Sequence, residues 1–437
     1  MSKNKYLFPF ILVTSLFFLW GFAYGLLDVL NKHFQVTLNI TKTRSTLLQA
    51  AYFGAYFIIG LIGTFVNKFD YKKGIIFGLL MFSLGAFLFY PAANAANFNF
   101  FLIALFILAA GCACLETTAN PYVTVLGDPA TSANRLNLSQ CFNGVGSFFG
   151  PVIASQLFFS NGNNDNLDSV KNVYLIIAVV VLLISFLFMR TKLPEIKEEV
   201  VENLSEAEDK KPLSAHKHFI GGVIAQFFYV AAQVGVAALF INYCTETKVD
   251  AGKDFIYKGV QSLADGLCNL FNATHLSFVT ISNATAAILF SVGLILFTVG
   301  RFVGTALMKK IAANKLLTIY AIINVLLCLV VVFNYSFLSI ASLMLVFFFE
   351  SIMFPTIFAL GLKGIGSHTK KGASFMIMSI VGGALVPYFM GVLSDKYSTS
   401  FSYIIPMLCF VIVAWYGWVG YRVKGNNDKV QVNFAKH

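Results

Sequence analysis

The sequence predicts an all-α, polytopic membrane protein with twelve transmembrane helices arranged as two six-helix pseudo-repeats. Three observations carry that prediction: an apolar composition, twelve runs of membrane-spanning length, and motifs that recur between the halves. Of 437 residues, 58% are hydrophobic and only 12% are charged, where a soluble domain has about a quarter charged. A net charge of +11 would suggest a nucleic-acid partner in a soluble chain. Here its distribution reports topology instead.

Runs of about 18 to 25 apolar residues, enough to cross a hydrocarbon core of about 30 Å, lie near 7–30, 46–66, 75–93, 98–124, 137–159 and 172–190. Six more lie near 217–243, 282–308, 315–333, 337–362, 372–393 and 401–421. The first run is too long for a cleavable signal and lacks a small-residue cleavage pattern, so it reads as the first span. The expected organisation is a six-helix bundle over 1–190, a charged linker over 191–216, a second bundle over 217–422 with an extended loop over 244–281, and a tail over 423–437.

With the N-terminus placed inside, the inner segments hold 22 Lys or Arg and the outer loops 8, leaving Arg301 within a span. The positive-inside rule then puts both termini and the linker in the cytoplasm. Seven cysteines (112, 114, 141, 244, 268, 328 and 409) have no metal-type spacing, and five fall in spans as small apolar residues. Only Cys244 and Cys268 share a loop in which they could pair.

The halves repeat. "LETTANPYVTVLG" and "FESIMFPTIFALG" align Glu116 with Glu350, Pro121 with Pro355 and Gly127 with Gly361, each 234 residues apart. "NGVGSFFGP" and "SIVGGALVP" share Gly and Pro at an offset of 236, and a Gly-Thr pair before a basic turn recurs after the second and eighth spans. Two copies of a six-helix unit related by an axis along the membrane normal is the plan of major facilitator transporters, which hold substrate between the halves.

Polar groups in spans are costly and face the bundle interior or a water-filled cavity. Trp20, Tyr24 and Asp28 are spaced at four, as are Glu116 and Asn120; Gln140 and Asn143 lie three apart, and Gln226, Tyr229 and Gln233 share one helix face. Amides beside aromatic rings suit a sugar, which presents hydroxyls and an apolar C–H face. The same amides also serve as hydrogen-bond glue between helices. Desolvation penalises the charged form of a carboxyl, so Asp28 and Glu116 are candidates for proton coupling. Glu350 is a candidate for contacting substrate, carrying a second proton, or pairing with Arg301. Arg301 itself either gates or snorkels to the interface. No phosphate loop, metal spacing or nucleophile elbow occurs in the sequence, so neither an enzyme nor an ATP-driven pump is expected, and no cofactor or metal.

The motifs "FFLWGFAYGLLDVL", "LLQAAYFGAYF", "GCACLETTANPYVTVLG", "RLNLSQCFNGVGS", "AQFFYVAAQ", "VGRFVGT" and "KKGASFMIMSIVGGALVP" resemble the fucose permease group of the major facilitator superfamily, the fucose/galactose/glucose proton symporters. The resemblance implies alternating access, proton-driven sugar uptake across a bacterial inner membrane, Asp28 and Glu116 as functional carboxylates, and Gln140 and Asn143 at the sugar. An acid at Glu116 is similar to the fucose members, which points to L-fucose; glucose, galactose and N-acetylglucosamine are the alternatives. The chain departs from the group's pattern at Leu27, at Ala237 and in its long outer loop. The expected partners are a small sugar, protons and the lipid bilayer, with no nucleic acid, and the expected working unit is a monomer. Proton-driven efflux is a more distant reading, disfavoured by the Gln/Asn stripes. A sugar receptor would need an output domain larger than the linker or the tail.

Overall fold

A computed structural model of the chain describes residues 7–66, 71–126, 132–159, 167–191, 193, 213–249, 258, 261, 281–308, 310–363, 365 and 369–422. The first six predicted spans are α1 (Leu7–Thr37), α3 (Leu47–Val66), α4 (Tyr71–Asn94), α5 (Phe98–Val125), α6 (Ser132–Phe159) and α7 (Asp168–Arg190), with a short helix α2 (Lys42–Ser45) after the first. The others are α8 (Lys217–Ala238) continued by α9 (Phe240–Glu246), α10 (Asn283–Leu307), α11 (Ala313–Phe333), α12 (Ser336–Glu350) continued by α13 (Met353–Leu362), α14 (Thr369–Met378) continued by α15 (Gly382–Lys396), and α16 (Thr399–Ser402) leading into α17 (Ile404–Trp415) and a π-helical turn, Tyr416–Gly420. Ten of these segments meet a strict test of length and apolarity for crossing a membrane. Polar residues such as Gln140 and Asn143 dilute α6, which packs along α1 all the same.

The structure corrects several boundaries. α1 continues seven residues past the apolar run, to Thr37, because Asn31 and Gln35 find hydrogen-bond partners there. The seventh span breaks at Leu239, the tenth at Ser351–Ile352, and the eleventh at a 3₁₀ turn, Ser379–Val381. The tenth break has a covalent cause: Pro355 has no N–H to give the Ser351 carbonyl four residues back, and its ring crowds that carbonyl. Arg301 Nε donates to the freed oxygen at 3.4 Å. Predicted features at Cys268, in most of the outer loop, in the linker over 194–212 and in the tail over 423–437 lie outside the described residues; Cys244 is a buried free thiol.

Within the first half α4 packs on α5 and α7, α1 on α6, and α3 on α5; within the second α8 packs on α13, α15 and α17, and α12 on α10 and α11. The repeat is visible at backbone level. Gly146 of α6 lies against the Phe18 carbonyl of α1, and its mate Gly382 lies against the Phe227 carbonyl of α8, so closely that a Cβ at either would collide. Across the halves α6 meets α10, α3 meets α15, and α1 meets α9. The outer belt is apolar, with Ile176, Leu183, Phe302 and Trp418 each more than 60% exposed, as lipid-facing positions are.

Candidate functional site

The candidate carboxyls of the first half are held by α3. Gln49 Nε2 donates to Asp28 Oδ1 at 2.9 Å, and two turns on, the Tyr56 hydroxyl donates to Glu116 Oε1 at 2.9 Å. Tyr52, between them, lies 3.4 Å from Tyr56, oxygen to oxygen, and its ring stands 6.1 Å from that of Tyr24. Gln49, Tyr52 and Tyr56 sit at spacings of three and four, one stripe of one helix. That stripe runs about 10 Å along α3 at 1.5 Å per residue and connects the surroundings of the two acids. Asp28 is 3% exposed, and Glu116 is half-buried.

The predicted amides divide between two roles. Gln140 Nε2 donates to Asn120 Oδ1 at 3.3 Å, joining α6 to α5 on the same helix face as Glu116. Asn143 instead donates to the Phe17 carbonyl at 3.3 Å. In this conformation it ties α6 to α1, as does the contact of 2.9 Å between Thr14 and Ser139, which is the helix-glue role the sequence left open.

The second half is different in kind. Gln226, Tyr229 and Glu350 are fully buried, and among the described residues the Gln226 amide, the Tyr229 hydroxyl and both Glu350 carboxyl oxygens have no hydrogen-bond partner. Tyr229 lies within electrostatic range of Glu350, Arg301 and Tyr24, and its ring stands 6.3 Å from Phe354 of α13. Asn324 and Cys328 add a polar flank from α11, with Cys328 in range of Glu350 and Asn324 Oδ1 also unpartnered. Gln233, on the same face of α8, is half-buried. Buried polar groups are nearly always satisfied, so this cluster stands out as a candidate site with donors and acceptors free among the described residues. The anticipated ion pair between Arg301 and Glu350 does not form. Arg301 lies at the surface of the bundle, 4.9 Å above the Phe297 ring, with its Nε on the Ser351 carbonyl.

Sequence reasoning passed over Gln49, Tyr52, Tyr56, Asn31, Gln35 and Asn242. The stripe on α3 carried the same period-3.6 signal that flagged α1 and α8. Asn31 and Gln35 continue the stripe of α1 at the same spacing past the end of the apolar run, whereas Asn242 had no such signal, because its meeting with them depends on how α1 extends and where α8 breaks.

The family model of the Major Facilitator Superfamily matches residues 10–387. The chain belongs to that superfamily. Among its relatives in it, the L-fucose-proton symporter of Escherichia coli K12 is 36% identical over 94% of this chain and 93% of its own length. A glucose/galactose transporter of Brucella abortus is 35% identical, covering 96% and 95%. A solved major facilitator transporter, FucP in its outward conformation, superposes with a TM-score of 0.64 at 34% identity, covering 95% of this chain and 99% of that one. Within the superfamily the protein thus stands in the fucose/galactose/glucose symporter group.

Proposed function

We propose that the protein imports a monosaccharide together with protons by alternating access, with L-fucose as the leading substrate. The observation that carries this reading is the pairing of two interior carboxyls, Asp28 and Glu116, along one polar stripe of α3, opposite a buried, unpartnered cluster of Gln226, Tyr229 and Glu350. A carboxyl in a membrane interior is expensive and normally serves an ion or substrate pathway. Asp28 and Glu116 take the proton-coupling role. Gln140, Asn120, Asn143, Tyr24, Gln226, Tyr229, Gln233 and Glu350 take the sugar, with Tyr24 beside Tyr52. Relatives named for L-fucose and for glucose/galactose support a hexose-type substrate, and the acid at Glu116 favours the 6-deoxy sugar. The protein is proposed to reside as a monomer in a bacterial inner membrane, with both termini in the cytoplasm.

The deciding experiment reconstitutes the protein in liposomes and follows external pH while L-fucose, D-galactose, D-glucose and N-acetylglucosamine are offered in turn. Alkalinisation outside with one sugar names the substrate and establishes symport. No proton movement with any of the four, from folded protein, removes the sugar-symport reading and brings proton-driven efflux forward.

A further inference from the structure

The end of the molecule where α1 finishes at Thr37 is closed by contacts between the halves. Asp395, at the end of α15, accepts hydrogen bonds from the Lys42 N–H at 3.0 Å, the Thr43 N–H at 2.7 Å and the Thr43 hydroxyl at 2.6 Å. Lys42 Nζ pairs with Glu246 Oε1 of α9 at 2.7 Å and donates to the Thr399 hydroxyl at 2.9 Å, which in turn donates to Glu246 Oε2 at 2.7 Å.

Beneath this ionic layer lies a layer of amides. Gln35 of α1 and Asn242 of α9 exchange hydrogen bonds at 3.2 and 2.7 Å, and Gln35 Nε2 also donates to Asn31 Oδ1 at 3.0 Å. Asn31 Nδ2 donates at 3.1 Å to the Ala238 carbonyl, freed by the break between α8 and α9, and at 3.3 Å to Gln49 Oε1. Gln49 then donates to Asp28. Asp28, Gln49 and Asn31 are all at most 3% exposed. An unbroken series of hydrogen bonds therefore runs from a candidate proton site to the surface that joins the two halves.

The series has a polarity. Gln49 can donate to Asp28 and accept from Asn31 only in one orientation of its amide. An ionised carboxyl accepts only, and its bond to the amide is charge-assisted. When Asp28 carries a proton and donates it to Gln49, the Gln49 amide turns over to accept, and its NH₂ then meets the NH₂ of Asn31. Two donors cannot bond; when Asn31 turns to accept from Gln49 it gives up the Ala238 carbonyl, and Gln35 loses Asn31 while keeping Asn242 and Ser45.

We infer that Gln49 and Asn31 are positioning residues that wire Asp28 to closure of the Thr37 end, so that proton loading at Asp28 loosens that end and proton release locks it. The inference rests on the reading of Asp28 as a proton-binding group. The other groups facing Asp28 are Tyr24 on α1 and Tyr403 before α17. Lys32, one turn further along α1, interacts with Glu246 and Lys42. Glu246 and Asp395 lie in the closure itself.

The test uses spin labels at Asn99→Cys and Lys396→Cys, both exposed at this end on opposite halves, in a background from which the native cysteines have been removed. Double electron–electron resonance in nanodiscs without sugar reports the open-to-closed ratio as a function of pH. Asp28→Asn isolates the part of the pH response that belongs to Asp28. That part is expected to raise the ratio about fivefold or more on acidification, the size of a typical coupling between sites. It should vanish equally in Asn31→Leu and in Gln49→Leu, with Asn31→Ser and Gln49→Met standing in where a leucine variant does not fold. A purely structural role would move the ratio at all pH values and leave its pH dependence intact. Loss of the response in Asp28→Asn with its retention in the Asn31 and Gln49 variants overturns the wiring alone. An unchanged response in Asp28→Asn overturns the assignment of Asp28 as a proton site, and the wiring with it.

Discussion

Glu116 and Glu350 occupy equivalent places in the two repeats, yet their surroundings differ. Glu116 has a phenol donor in Tyr56 and is half-buried; Glu350 is fully buried and has no hydrogen-bond partner among the described residues. Glu116→Gln is expected to preserve sugar exchange, since an amide mimics the protonated acid, and to abolish uphill accumulation driven by a pH gradient. Counterflow and proton-driven uptake, measured on the same vesicles, separate the two; loss of counterflow as well would recast Glu116 as a binding or structural group. Glu350→Leu removes a hydrogen-bonding group capable of carrying charge. If the sugar bonds it, about 1.5–3 kcal/mol of binding is lost, a rise in KM of about ten- to a hundredfold. An unchanged KM excludes Glu350 from the sugar site.

Where helices break, carbonyls are released, and this structure puts two of the released oxygens to use. Ala238 O meets Asn31, and Ser351 O meets Arg301. Helix α2 shows the complementary case: its first N–H groups, left without partners inside the helix, are accepted by Asp395 from the other half. An N-cap supplied in this way is worth about 1–2 kcal/mol, which corresponds to about a five- to thirtyfold change in an equilibrium. Asp395→Ala is accordingly expected to raise the open-to-closed ratio at the Thr37 end by that factor at every pH, as read from spin-label distances. An unchanged ratio would mean that α2 rides on α15 without holding it.

The whole molecule follows the two-bundle plan expected from the repeat, and we propose the bundle limits 1–190 and 217–422, with linker and tail on the cytoplasmic side. Single cysteines introduced at Ser205 in the linker and at Lys258 in the outer loop test the orientation. A membrane-impermeant maleimide should label Lys258→Cys in intact cells and Ser205→Cys only after permeabilisation; the opposite pattern would invert the topology. The twelve spans, the repeat and most residues of the candidate site were legible in the sequence, because lipid imposes long apolar runs and makes each interior polar residue conspicuous. Asp28, Glu116, Gln226 and Glu350 were found by that contrast. Helix breaks were harder to read, since a proline such as Pro355 marks a weak point without saying whether the helix yields there.

What the sequence determined by itself is therefore the solvent the chain lives in, the number of crossings, and which side chains are too polar to face lipid. Those properties depend on local composition and period, which one segment carries alone. Only the tertiary structure decided which polar groups meet: that α3 serves both Asp28 and Glu116, that Arg301 turns to a backbone carbonyl rather than to Glu350, and that Asn31 reaches the other half. Hydrogen bonds act over about 3 Å, so their partners are chosen by how residues up to 357 positions apart in the chain are brought together, and no single segment records that choice.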